Sequence, residues 1–267
     1  MPPLIILTND DGIKSPGLRG AAQAVADLSD LLIVAPREQQ SSAGRAFYGE
    51  GDAVPMAYRL NGKAVRAFGV PTSPAVTVRH AVLLLADRKP DLVISGINYG
   101  ENIGNGVTIS GTVGAAIEAA SLGFPAMAVS VSTALKYHRT HSRKIDFSVA
   151  AQYIRRFARR ILRQGMPLGA DVLNINVPSG ATLSTPWRWT RVSRVSYFRS
   201  TFVEAAGVKR FTGYESDVDP AMLERDSDIY AILVDRVVSV TPITFDLTAR
   251  VAQKELARWG ARPSAKG

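Results

Sequence analysis

Two adjacent carboxylates follow a short apolar stretch near the start of the chain. Asp10 and Asp11 come directly after residues 4–7, an apolar run typical of a buried strand. Neighbouring carboxylates at the end of such a strand repel each other and are costly to remove from water. A bound cation would relieve both costs. An ordinary turn is the alternative, because Asn, Asp and Gly supply local hydrogen bonds and positive φ angles.

A second stretch, residues 96–106, is rich in glycine and asparagine. Glycine lets main-chain amides approach an anion closely, and a helix predicted to begin near Ser110 adds unpaired N–H groups and a positive dipole end. This pattern favours a phosphate site. A plain N-cap at Ser110 or Thr112 explains the same residues without a ligand.

Alternating strands and helices are the elements that must position these side chains. The predicted strands are 4–7, 31–35, 91–95, 126–131 and 172–177, and the predicted helices are 17–28, 73–86, 110–122 and 142–163. The strands are apolar throughout, as strands buried on both faces are. The pattern predicts an α/β fold with a doubly wound, mostly parallel, Rossmann-like sheet.

The pattern of predicted strands and helices divides the chain into three segments. Residues 1–184 are predicted to form the α/β core domain, from which 46–70 departs as a hairpin excursion. Residues 185–245 combine aromatic and alternating charged residues, which is typical of an extended β-rich arm at a subunit interface. A small β-rich cap is the alternative. Residues 246–267 are predicted to be the C-terminal segment. Its helical pattern runs over 245–259, and a tail follows.

Composition narrows the class of protein. The chain has 267 residues, 46% of them hydrophobic, and no cysteine, which excludes disulfides and thiolate chemistry. No segment is typical of a signal peptide or a membrane span, so we expect a cytoplasmic protein without a membrane partner. The net charge of +9 favours anionic partners, but the basic residues are dispersed, which argues against nucleic acid binding.

Polar residues follow three of the predicted strands, at Asp10 and Asp11, at 37–42 and at 96–106. In a doubly wound sheet such strand ends meet at the edge where ligands bind. Carboxylate, hydroxyl and amide oxygens are ligands for Mg²⁺, Mn²⁺ or Ca²⁺. The chain has no P-loop, no dinucleotide-binding glycine motif after the first strand and no serine-hydrolase elbow.

At these residues the chain resembles the SurE family, the survival-protein phosphatases that act as nucleoside monophosphate phosphohydrolases. The motifs are LTNDDGI at 7–13, SPGL at 15–18, VAP at 34–36, GVPT at 69–72, SGINYGENIG at 95–104, SGTV at 110–113, NINVP at 174–178 and VTPI at 240–243. They span nearly the whole chain.

The resemblance implies a metal site and an oligomer. The metal ligands fall on Asp10, Asp11, Ser41 and Asn98, and one divalent cation, Mg²⁺ or Mn²⁺, is expected in each subunit. A homodimer or homotetramer that exchanges the C-terminal arm is also implied. The family usually has Ser-Gly where this chain has Ser41 and Ser42.

Metal-assisted hydrolysis of a phosphomonoester is therefore the predicted activity, with nucleoside 5′-monophosphates as substrates, and 3′-monophosphates or short polyphosphate as further candidates. Asp10 and Asp11 are the predicted catalytic residues; they hold the cation, and one of them could orient the attacking water. The predicted phosphate-binding residues are Asn102, Gly104, Ser110, Gly111 and Thr112.

Two other functions compete with this prediction. A phosphatase that forms an aspartyl phosphate would need a carboxylate two residues after its nucleophile, where this chain has Gly12. A nonenzymatic nucleotide- or RNA-binding module would use the positive charge alone, and it would bind with a strong dependence on salt.

Overall fold

Thirteen strands and six α-helices make up the described part of this computed structural model, residues 1–205 and 207–260. The strands are β1 (Leu4–Thr8), β2 (Asp30–Pro36), β3 (Val54–Pro55), β4 (Arg59–Leu60), β5 (Lys63–Ala64), β6 (Arg66–Val70), β7 (Leu92–Tyr99), β8 (Ala126–Val131), β9 (Val172–Val177), β10 (Trp187–Trp189), β11 (Phe198–Ala205), β12 (Val208–Ser216) and β13 (Val238–Ile243). The helices are α1 (Pro16–Val25), α2 (Pro74–Arg79), α3 (Gly111–Ser121), α4 (Ser148–Gln164), α5 (Asp228–Leu233) and α6 (Gln253–Arg258).

Nine of these strands form one sheet in the order β10-β13-β9-β8-β7-β1-β2-β6-β3. Strands β9 to β6 in that order are parallel, whereas β3 and β13 pair antiparallel with their neighbours in the parallel block. On one side of β1 the sheet continues with β2, and on the other side it continues with β7. The strand order therefore reverses between β1 and β7, which is where a doubly wound sheet binds ligands.

The helices cover both faces of the sheet, as predicted. Along β1, Ile5 and Leu7 pack with the cluster that includes α1 and α4, whereas Leu4 and Ile6 pack with the cluster that includes α2 and α3. Successive side chains of a strand point to opposite faces, so a strand covered on both must be apolar throughout. The α/β, doubly wound fold class is confirmed.

The sheet does not end at residue 184, so the boundaries predicted for the core and the arm need correction. Strands β10 and β13 belong to the sheet, and β6 pairs in parallel with β2. Trp187 and Trp189 pack edge-on against Phe157 of α4, at centroid distances of 5.2 and 6.2 Å. These aromatic side chains pack against the core domain. Within 185–245, the separate two-stranded hairpin consists of β11 and β12 alone.

Two helix predictions also need correction. Helix α4 begins at Ser148, not at 142, because the carboxylate of Asp146 accepts hydrogen bonds from the amide and hydroxyl groups of Ser148 and ends the preceding loop. The last helix spans Gln253–Arg258 only. The predicted tail at 261–267 lies outside the described residues. None of the described helices is long and apolar enough to cross a membrane.

Candidate active site at the ends of β1 and β7

The turn after β1 brings the two aspartates to the switch point of the sheet. The buried side chain of Asn9 closes this turn: its Oδ1 accepts a hydrogen bond from the amide of Gly12, and its Nδ2 donates to the carbonyl of Gly12, each at 3.1 Å. Asn9 thus supplies the local turn contacts. The carboxylates of Asp10 and Asp11 make other contacts.

Asp10 lies against the start of α3. Its Oδ1 accepts a hydrogen bond from the hydroxyl of Thr112 at 2.5 Å. A Cβ atom added to Gly111 would lie 2.8 Å from both Cβ and Oδ2 of Asp10, so only glycine permits this approach. Thr112 and Gly111, which are predicted to bind phosphate, both contact Asp10. The positive end of the helix dipole favours a carboxylate at this place.

Asp11 is held from the other side. Its Oδ1 accepts a hydrogen bond from Nε2 of Gln39 at 2.7 Å, and its Oδ2 accepts one from the amide of Tyr99 at 3.3 Å. The main-chain carbonyl of Asp11 is 2.8 Å from Nε2 of His141. Gln39 also donates to the carbonyl of His138, so the loop after β8 is tied to this aspartate at two points.

Burial dominates the electrostatics of the pair. Removal from water raises the pKa of Asp10, although the hydroxyl of Thr112 and nearby main-chain amides oppose the change. Burial, and secondly the charge of Asp10, raise the pKa of Asp11 well above its ordinary value. Two carboxylates that are this well buried are costly to keep ionised without a counter-charge.

Ser41 and Asn98 reach the same cavity as Asp10, which has a volume of about 820 Å³. Nδ2 of Asn98 donates to the carbonyl of Gly100 at 2.7 Å, which leaves Oδ1 as the ligand atom. Ser42 has a φ of +63°, the region that favours glycine, and it occupies the position where the family usually has glycine. This backbone match supports Ser41 as the matching serine.

Close contacts with α3 fix the loop that carries Ser41. The amide of Gly44 donates to the carbonyl of Ile109 at 3.0 Å. A Cβ atom on Gly114 would lie 2.2 Å from the carbonyl oxygen of Gly44, so the loop can approach only a glycine. The buried carboxylate of Glu118 pairs with Arg45 and Arg79, each at 2.6 Å.

The predicted phosphate-binding residues divide into two groups. Asn102 and Ser110 line the cavity with Asp10. Ser110 caps α3 by accepting a hydrogen bond from the amide of Val113, and its own hydroxyl proton remains available. Gly104 does not line the cavity, and its amide donates to Oδ2 of Asp228 at 3.0 Å. Asp11, only 1% exposed, is also absent from the cavity lining.

Two asparagines of β9, for which no role was predicted, hold Asn102. Oδ1 of Asn176 accepts from the amide of Asn102 at 2.8 Å, while Nδ2 atoms of Asn176 and Asn174 donate to its carbonyl at 3.1 and 2.8 Å. The side chain of Asn102 donates to Ser130. Two polar residues spaced two apart in an otherwise apolar strand point to one face, and that signal could have identified them.

The hairpin of β11 and β12 forms one wall of this cavity. Phe198, Phe211 and Tyr214 line the same cavity as Asp10, Ser41 and Asn98 and contribute aromatic rings to it. The hydroxyl of Tyr197, just before β11, donates to Oε1 of Glu101 at 2.5 Å, which fastens the base of the hairpin to the glycine-rich loop. This segment was predicted to be either an arm at a subunit interface or a small β-rich cap, and its position beside the site was not predicted.

The donor set is suited to a hard cation. In residues 1–205 and 207–260, no three His, Cys, Asp or Glu side chains come together as a metal cluster, so the site depends on two carboxylates and neutral oxygens. The fold and this site define a doubly wound α/β protein with an oxygen-donor centre at the switch point of its sheet.

Comparisons with known proteins agree with that class. The family model for survival protein SurE matches residues 5–199. The 5′-nucleotidase SurE of Thermococcus gammatolerans is 40% identical over 94% of this chain and 94% of its own length. The protein of the same name from Thermococcus kodakarensis is 39% identical over 95% and 97%. The crystal structure of the SurE protein from Aquifex aeolicus has a TM-score of 0.75 at 28% identity, and the match covers 97% of this chain and all of that one. The chain belongs to the SurE family.

Proposed function

We propose that this chain is a divalent-metal-dependent phosphohydrolase that acts on nucleoside 5′-monophosphates. One observation carries the proposal. The buried Asp10 shares a single cavity with Ser41 and Asn98, next to the capped start of α3 at Ser110. Relatives that are 40% identical over nearly the whole chain are named 5′-nucleotidases, which supports the same activity here.

The residues present fit one Mg²⁺ or Mn²⁺ ion. Asp10, Asp11, Ser41 and Asn98 would hold it, and all four offer oxygen atoms, the ligands that these cations prefer. The raised pKa values of the two aspartates reflect buried charge that a cation would offset. When bound, the cation would polarise a phosphoryl oxygen and lower the pKa of a water molecule.

The other residues of the cavity bind and orient the substrate. The free hydroxyl proton of Ser110 and the second amide proton of Asn102 can each donate to a phosphate oxygen. Arg139 lines the same cavity and supplies guanidinium donors for an anion. Thr112 keeps the carboxylate of Asp10 oriented, and either aspartate can orient the attacking water as a secondary role.

Removal of the metal tests this proposal. The protein is stripped with a chelator and desalted, and phosphate release from adenosine 5′-monophosphate is measured before and after addition of Mg²⁺ or Mn²⁺. We expect activity to disappear and to return with either metal. A panel of 5′-monophosphates, 3′-monophosphates and tripolyphosphate defines the substrate range.

An Asp10→Asn variant provides the second arm, with the exposed Asp52→Asn as the matched control. We expect a folded Asp10→Asn protein to lose activity and the control to keep it. Full turnover in the metal-free protein, or in the folded Asp10→Asn variant, would refute the proposal. Salt-dependent RNA binding without any hydrolysis would instead favour the nonenzymatic module.

We also propose that the β11–β12 hairpin packs against a second copy of this chain, in a homodimer or homotetramer. Phe202 is 64% exposed and packs against the exposed ring of Phe211 on one face of the hairpin, while Val203 and Val208 are exposed on the other face. Exposed apolar side chains on both faces of a hairpin favour an interface. Light scattering should give an oligomer for the native protein and a smaller species for a Phe202→Ser, Val208→Ser variant; a monomeric native protein would contradict the proposal.

A further inference from the structure

A second cavity, of about 760 Å³, is lined by residues 13–16, which directly follow the turn that carries Asp10 and Asp11. The start of α1, the stretch before β4 and the loop before α4 line it, and none of its lining residues lines the cavity described above. Its wall includes Lys14 and Ser15, which follow the two aspartates almost directly in the chain.

The charge of this second cavity is entirely positive. Its charged residues are Lys14, Arg19 and Arg143, which line it beside His141, and no carboxylate lines it. Within the described ranges, none of these four side chains lies within 4.0 Å of a carboxylate oxygen. Grouped like charges without a counter-charge attract an anion.

A neighbouring groove shows that other basic residues of this protein are compensated. Arg66 and Arg88 line that groove together with acidic residues, and Arg88 pairs with Asp30 at 2.8 Å. The positive charge of the second cavity is therefore a local feature, and the net charge of +9 does not by itself account for it.

Tyr58 adds an aromatic surface and an unused donor. Its hydroxyl is buried and has no hydrogen-bond partner in the described part of the chain. The guanidinium of Arg19 lies over its ring, 5.8 Å from the centroid. A buried hydroxyl normally has a partner, so this one can donate to a ligand that enters the cavity. Guanidinium groups bind phosphate in a forked geometry.

We propose that this basic cavity is a second binding site, separate from the metal site, for a phosphate-bearing anion. Lys14, Arg19 and Arg143 bind the phosphate groups, and Tyr58 donates to them or supports an attached nucleoside. His141 lines the cavity and contacts the carbonyl of Asp11 at 2.8 Å, so an anion held here adjoins the turn of the metal site.

Binding to metal-free protein tests this site independently of turnover, so its failure is distinct from failure of the proposed phosphohydrolase. Calorimetric titration in chelator and low salt uses tripolyphosphate in one arm and a non-hydrolysable nucleoside triphosphate in the other. We expect one anion to bind per chain, with a dissociation constant below about 1 mM. Equal affinity in both arms assigns the site to the phosphate chain, and tighter nucleotide binding assigns it to a nucleoside phosphate.

Matched variants locate the bound anion. A Lys14→Gln, Arg19→Gln double variant should weaken binding by about tenfold or more, since it removes two charge-assisted contacts. An Arg159→Gln, Arg160→Gln variant removes the same charge from the exposed face of α4 and should leave the affinity nearly unchanged. An Asp10→Asn variant should still bind.

Three results would overturn the proposal. One is no saturable binding by the native metal-free protein. The second is an equal loss of affinity in both double variants, which would mean that net charge alone attracts the anion. The third is loss of binding in the Asp10→Asn variant together with full binding in the Lys14→Gln, Arg19→Gln variant, which would assign the anion to the metal site.

Discussion

The contact between Thr112 and Asp10 offers a sharp test of how this site is built. Thr112→Val keeps the shape of a fully buried side chain but removes the hydroxyl that donates to Oδ1 of Asp10 at 2.5 Å. A hydrogen bond to a charged group contributes about 1.5–3 kcal/mol, and the carboxylate would be left without this donor. The free energy of unfolding of the metal-free protein should fall by about that amount.

Two measurements follow for this variant. Urea denaturation in chelator gives the free energy of unfolding, and phosphate release at increasing Mn²⁺ gives the metal requirement. Because a residue that orients a metal ligand typically affects metal affinity by about 10- to 100-fold, the half-saturating Mn²⁺ concentration should rise by a similar factor. Thr112→Ser is the matched control, since it keeps the hydroxyl and loses one methyl group, a cost of about 1 kcal/mol.

The refuting results are specific. Unchanged stability and an unchanged metal requirement in Thr112→Val would mean that the hydroxyl does not support Asp10. A rise in KM for the nucleotide with an unchanged metal requirement would instead make Thr112 a direct phosphate ligand.

Three further predictions concern the supports of the site and the second cavity. Gly114→Ala should lower both stability and the apparent Mn²⁺ affinity, because the new Cβ would lie 2.2 Å from the carbonyl of Gly44; thermal melting and metal titration measure this. Asn176→Ala should lower the free energy of unfolding by about 1–3 kcal/mol and reduce kcat at saturating metal, because two hydrogen bonds to Asn102 disappear. Burial raises the pKa of Tyr58 from 10.0 to about 12. The protonated hydroxyl therefore stabilises the folded state below pH 10, and this stabilisation is lost as the pH rises to 12. In the Tyr58→Phe variant, the free energy of unfolding measured by urea denaturation should decline less between these pH values.

Each of these three predictions has an outcome that would contradict it, and the Gly114→Ala prediction also has a control variant. Gly20→Ala in α1 is the control for Gly114→Ala, since its Cβ would meet the side chain of Phe147 at an ordinary 3.4 Å and alanine is favoured within helices. A stabilised Gly114→Ala protein would contradict the close approach. Full kcat in Asn176→Ala would show that Asn102 does not need the hydrogen bonds from Asn176. An identical dependence of stability on pH in Tyr58→Phe would contradict the raised pKa of the Tyr58 hydroxyl.

The sequence predicted the parallel core well because its strands are buried on both faces. The strands at 126–131 and 172–177 have the predicted bounds: the first is a continuous run of apolar and small residues, and the second alternates apolar residues with Asn174 and Asn176. Strand β7 continues to Tyr99, four residues past its predicted end, because Gly96 to Asn98 resemble a loop in composition yet pair with β8 through an irregular register. Short edge strands such as β10 have too few residues for a pattern.

The convergence of the site residues could also be predicted, whereas their individual contacts could not. The rule that ligands bind at strand ends brought Asp10, Asn98 and Ser110 to one cavity. A sequence does not reveal which acceptor a given donor finds. Gly104 and Thr112 both looked like phosphate donors, but Asp228 takes the amide of the first and Asp10 the hydroxyl of the second.

The β11–β12 hairpin gives this enzyme architecture a modular character. The strand ends of a rigid nine-stranded sheet carry the metal-ligand candidates, while a hairpin outside that sheet supplies the aromatic wall. A change in the hairpin can therefore alter the wall of the cavity while the strands that carry the metal-ligand candidates stay in place. We expect an exchange of residues 198–216 between two relatives to change the substrate range and to leave the metal requirement unaltered.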